Sequence, residues 1–148
     1  MNRVFSIKAI SMLLSLIACS FNAVALDLHV GSWSGQAEYI LKVGGEEFSP
    51  AHVVVSLSIR VDKNGKVVGS SPANGCKLLG LAQPGVSETV ANVGFSLTSC
   101  NVPALNQRYQ GTLAYYKTNK TMILSGGGSK VFPGKKPLSF SLRANLTR

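Results

Sequence analysis

The sequence predicts an all-β fold: a small antiparallel barrel of about eight strands in meander order with one disulfide, a sandwich being the alternative. Three observations predict it. Apolar and polar residues alternate with period two in segment after segment, no later stretch keeps a helical period over three turns, and the connections are short. Of 148 residues, 45% are hydrophobic, 14% are charged and 15 are Gly, which describes a folded β-rich chain rather than a disordered one. The length suits one domain, and neither a linker nor a repeat divides it.

Residues 1–25 are expected to be a secretory signal peptide. Arg3 and Lys8 open it, Ala9 to Phe21 is apolar apart from Ser and Cys, and Ala23-Val24-Ala25 places small residues before a cut at Leu26. The apolar run is too short for a permanent span, and no later run approaches ~20 apolar residues. A bacterial lipobox is the alternative: Leu16-Ile17-Ala18-Cys19 would make Cys19 a lipid anchor. Phe21 and Ala23 to Leu26 do not form a polar tether, so cleavage before Leu26 is the preferred reading. The expected location is periplasmic or secreted, or the outer membrane if Cys19 is lipidated.

The single domain is expected over residues 26–148. Leu26, Leu28 and Val30 are apolar at even positions, whereas from Trp33 the apolar face is odd. Gly31-Ser32 marks the switch, so the segment before it is expected to be a separate strand or a bulged extension. Trp33, Gly35, Ala37, Tyr39, Leu41 and Val43 share the inner face of the first strand. Val53, Val55, Leu57, Ile59 and Val61 repeat the pattern. Asn64-Gly65 then predicts a two-residue type I′ turn that sets Val61 opposite Val68, both inward. A strand from Cys76 to Leu81 is expected to end at Pro84-Gly85. Val93, Phe95 and Leu97, then Tyr109, Leu113 and Tyr115, then Met122 to Ser125 follow. Gly126-Gly127-Gly128 is expected to break or bulge that strand. Leu138, Phe140, Leu142, Ala144 and Leu146 make the last one.

Cys76 and Cys100 are the cysteines left after the leader. In an exported protein they predict one disulfide, closing a loop of about 25 residues and stabilising by ~3 kcal/mol. Removing Arg3 and Lys8 leaves 13 basic against 6 acidic residues, +7. No acid follows Glu88, so Lys117, Lys120, Lys130, Lys135 and Lys136 form a candidate basic patch, with Arg108, Arg143 and Arg148 also unopposed.

Gly31-Ser32-Trp33 in the first long strand with Arg143 in the last resembles the calycin pattern of lipocalins, avidins and small bacterial protease inhibitors. The resemblance rests on these four residues. It implies a small closed barrel in which a late basic residue, Arg143, covers Trp33 as a core anchor. For a chain like the inhibitors, it also implies that the N-terminal segment with Leu26, Leu28 and Val30 reaches into a target cleft. Fold likeness does not by itself carry a function.

Catalysis lacks parts. His29 and His52 are the only histidines, without metal-ligand spacing, and the adjacent Glu46 and Glu47 diverge in a loop. No enzyme, no cofactor and no metal are expected. Ser125 to Lys130 has glycines and a lysine but no following helix, so it is not a phosphate loop. Three roles remain. The first is a non-catalytic exported binding protein that recognises another protein as an inhibitor or immunity module does. The second is a cationic envelope protein that binds lipopolysaccharide or another polyanion, nucleic acid not being expected. The third is a fibre subunit that donates the Leu26 to Val30 segment to a neighbour's sheet.

Overall fold

The computed structural model describes residues 26–148; the proposed leader, with Cys19, lies outside the described residues. Nine strands follow in order: β1 (Gly31–Val43), β2 (Glu46–Glu47), β3 (Val53–Val61), β4 (Lys66–Ser71), β5 (Cys76–Ser87), β6 (Val90–Thr98), β7 (Arg108–Tyr116), β8 (Thr121–Lys130) and β9 (Leu138–Thr147). From β3 to β9 each strand pairs antiparallel with the next, and β9 returns to β1 from Ser34 opposite Thr147 to Val43 opposite Leu138. β1 and β3 to β9 therefore close an eight-stranded meander barrel. β2 is a short hairpin arm on β1. Closure removes the open sheet edge that would invite a donated strand.

Alternation explains the barrel. Odd residues of β1 and β3 point inward, and the interior is filled by Trp33, Tyr39, Leu41, Leu57, Leu97, Tyr109, Leu113, Met122, Leu124, Leu142 and Leu146, all essentially buried. Ser, Gln, Thr, Lys and Arg dominate outside, the reverse of a barrel that faces lipid. Phe95 stacks on Tyr109 at 5.0 Å between centroids, and Phe140 meets Tyr109 edge-on at 4.8 Å. Burial pushes the hydroxyl pKa of Tyr39 and of Tyr109 upward, so both stay neutral.

Four expectations are corrected. The β3–β4 loop holds three residues rather than two. The Asp62 carboxylate accepts the backbone N–H of Asn64 and of Lys66, and Gly65 alone takes a positive φ, 82°. An odd loop shifts the register by one, so Val61 faces Val67 and Val68 turns outward. β5 continues through Pro84-Gly85. Its last residues lie past the end of β4, beside a register shift between Pro84 and Ser87, where a strand tolerates proline. β8 runs unbroken through its three glycines. A Cβ on Gly126 would stand 2.7 Å from the Phe95 ring, and one on Gly128 2.8 Å from the Phe140 ring, so the glycines make room for the aromatic cluster.

The N-terminal segment is the fourth correction: it is a turn, neither a strand nor a free arm. The N–H groups of His29 and Val30 both donate to the Leu26 carbonyl, and Leu26 is buried. The segment closes one end of the barrel, with the β3–β4, β5–β6 and β7–β8 turns around it. We call this the capped end. The opposite end carries the Cys76–Cys100 disulfide, which ties the start of β5 to the loop after β6.

Candidate functional site

The capped end is built around Trp33. Its indole N–H donates to the His29 carbonyl at 2.8 Å, and Tyr115 packs edge-on at 5.9 Å. Arg148 covers the ring, its guanidinium 4.5 Å from the centroid, while its Nη2 donates to the carbonyls of Leu28 and Val30. The cation over Trp33 is thus Arg148. Arg143 lies on the outer face of β9, opposite Glu38 and Ser125, because outward and inward positions alternate and its neighbours Leu142 and Ala144 point in. The docked turn holds Leu26, Leu28 and Val30 against the barrel rather than free to enter a cleft.

His29 is fully buried in this cap. Its Nε2 faces the carbonyls of Leu113 and Thr89, at 3.0 and 3.3 Å, so Nε2 carries the proton. Nδ1 is buried without a partner. Burial lowers the pKa of His29, against a smaller upward pull from the two carbonyls. Such a histidine holds a lid in place; no nucleophile adjoins its protonated nitrogen.

At the disulfide end His52 sits between two carboxylates. Nδ1 is 2.5 Å from Glu47 Oε1 and Nε2 is 3.0 Å from Glu38 Oε1. These hydrogen bonds raise its pKa and favour the imidazolium form. The cluster clips β2 to the barrel wall and leaves neither nitrogen free to act as a base. Among the described residues no group of three or more His, Cys, Asp or Glu side chains is placed to hold a metal ion.

The candidate basic patch does not come together. Lys117 and Lys120 belong to the β7–β8 turn at the capped end, where Lys117 pairs with Glu88. Lys130, Lys135 and Lys136 lie at the other end of β8, about 30 Å away at a strand's rise of 3.3 Å per residue. A meander sends successive loops to alternate ends, so proximity in sequence across one strand becomes separation in space.

A different surface is assembled across β3 to β7. On the outer face Arg60, Val68, Leu79, Ser96 and Arg108 stand opposite one another in register, one per strand. The neighbouring row toward the capped end is Lys66, Leu81, Gly94 and Gln110; the row toward the disulfide end is Ser58, Ser70, Lys77 and Thr98. Val68, Leu79 and Leu81 are 39%, 58% and 49% exposed, a contiguous apolar centre within these three rows. Asp62 continues the capped-end row opposite Lys66, and its carboxylate is engaged by the backbone N–H groups of Asn64 and Lys66. Shallow grooves flank the centre, one along Ser34, Ser58, Ser70 and Arg60, the other over Gly94 between Leu81 and Arg108.

Compared with protein families, curated proteins and solved structures, the chain matches none.

The outer row has a signal in the sequence beyond simple alternation. Val67-Val68 and Leu78-Leu79 are apolar doublets, and a strand of period two can turn only one member of each inward. Once Val67 and Leu78 are placed in the core, Val68 and Leu79 must face out.

Proposed function

We propose that this chain is an exported, non-catalytic binding protein that recognises another protein, in the manner of an inhibitor or immunity module. The observation that carries the reading is the outer row of β3 to β7. Three exposed apolar side chains are set in a rigid barrel wall and bracketed by Arg60, Lys66, Lys77 and Arg108. An apolar centre with an arginine-bearing rim is the composition of a protein-recognition surface. The rim's excess of positive charge favours an acidic partner and speeds encounter, while the apolar centre holds the complex. The disulfide and the closed barrel keep the surface preorganised, which lowers the entropy lost on binding. The location that goes with this reading is the periplasm or the medium.

A pull-down from periplasmic and culture fractions tests it, with the oxidised protein and its Leu79→Ser/Leu81→Ser variant as parallel baits. The expected result is an acidic protein held in stoichiometric amount by the parent through a high-salt wash and lost from the variant. Retention of the same protein by both baits, or of none by the parent, overturns the reading.

A further inference from the structure

The β8–β9 loop is a second exposed feature, separate from the outer row. From Lys130 to Pro137 every residue is exposed, and Val131 and Phe132 are the apolar tip, 77% and 48% exposed. The tip is ordered by its own turn. The Lys135 N–H donates to the Phe132 carbonyl at 3.1 Å across Pro133-Gly134, and Gly134 has φ 71°, a type II turn with proline and glycine at the positions that favour them. The base is also fixed: the Gly44 N–H donates to the Pro137 carbonyl at 2.7 Å, and Lys136 packs on Gly44. Lys130, Lys135 and Lys136 flank the tip, and none forms an ion pair among the described residues.

We propose that this loop docks the barrel on an anionic phospholipid surface, with Val131 and Phe132 entering the interface and the three lysines against the phosphates. Charge complementarity and shape choose the occupant. A protein hot spot fills a pocket or receives an anchor in one, whereas two adjacent apolar side chains in an exposed loop that also carries three lysines suit a surface that deforms around them. Lysine is a compact cation that meets phosphate as a point charge without a fixed fork geometry. The tip lies at the disulfide end, so docking there leaves the capped end facing away from the membrane.

Vesicle sedimentation with protein expressed from the full chain tests this, using phosphatidylglycerol and phosphatidylcholine vesicles. Three proteins are compared: the parent, Val131→Ser/Phe132→Ser, and Lys130→Gln/Lys135→Gln/Lys136→Gln. Thermal unfolding verifies that all three are folded. The parent is expected to bind phosphatidylglycerol in preference to phosphatidylcholine. Loss of the lysines should weaken binding roughly fivefold each, about a hundredfold together. Loss of the apolar pair should weaken it by about tenfold. Equal binding by the parent and either variant overturns the proposal, because contact is then made elsewhere in the chain or, where only the lysines matter, by charge without insertion. Absence of parent binding, or equal binding to both lipids, overturns it as well.

Discussion

Arg148 stands over the indole of Trp33, with its guanidinium 4.5 Å from the ring centroid and its Nη2 bonded to the Leu28 and Val30 carbonyls. One side chain at the end of the chain thus fastens the cap to the core. Arg148→Ala removes the cation–π contact and two charge-assisted hydrogen bonds, and should cost about 1–2 kcal/mol. Trp33 is the only tryptophan, so its emission reports the cap directly during urea unfolding. Arg143→Ala, on the outer wall, should change stability by less than about 0.5 kcal/mol. Equal losses in the two variants would contradict the placement of Arg148.

The two histidines give opposite pH dependences. His29 has a folded-state pKa held below 6.5 by burial, so the unfolded chain takes up its proton first as the pH falls. Its contribution is complete above about 6.5 and is lost as the pH drops toward the folded value. His52 has its pKa raised above 6.5 by Glu38 and Glu47, so its contribution is complete below 6.5 and is lost as the pH rises through the folded value. In a His52→Gln background, stability measured by urea unfolding should decrease steadily from pH 7 to pH 5. Adding His29→Gln, which keeps an N–H for the Leu113 carbonyl, should flatten that slope. A slope unchanged by His29→Gln would show that the buried imidazole is not its source.

Strand pattern and covalent framework were legible because each depends on local rules. Period-two alternation located the strands from Trp33 to Leu146, and Cys76 and Cys100, the two cysteines outside the expected leader, had only each other as partner. What was not legible depends on parity and distance. Asn64-Gly65 marks a turn, but whether the loop holds two or three residues depends on the Asp62 carboxylate, and that one residue decides whether Val67 or Val68 is buried. Arg143 and Arg148 are equally basic and equally late in the sequence. Arg143 is turned outward opposite Glu38, whereas Arg148 follows Thr147, which pairs with Ser34, and so comes within reach of Trp33 and the docked N-terminal turn. The lysines from 117 to 136 looked like one cluster because sequence distance carries no record of which barrel end a loop occupies.

The disulfide should act on the end it ties. Cys76→Ser/Cys100→Ser frees the β4–β5 connection from the loop after β6 and should cost about 2–4 kcal/mol, mainly through the wider freedom of the unfolded chain. The cap lies at the opposite end of the barrel, so native Trp33 emission should match the parent while the urea midpoint falls. A shifted native emission would mean that the two ends are coupled through the barrel wall.

The three glycines of β8 separate two explanations of a glycine run. If they serve flexibility, alanine should stiffen the strand and stabilise the protein by limiting the unfolded chain. If they serve space, alanine must collide. At Gly126 the new methyl would stand 2.7 Å from the Phe95 ring, which is itself stacked on Tyr109 and has no room to retreat. Overpacking of this kind costs about 1–3 kcal/mol. Gly126→Ala should therefore lower the urea midpoint, and Phe95→Leu in the same chain should recover part of the loss, because the smaller side chain vacates the space the methyl needs. The double-mutant cycle is the decisive reading: a coupling energy near zero would separate Gly126 from Phe95 and return the glycines to a role in flexibility.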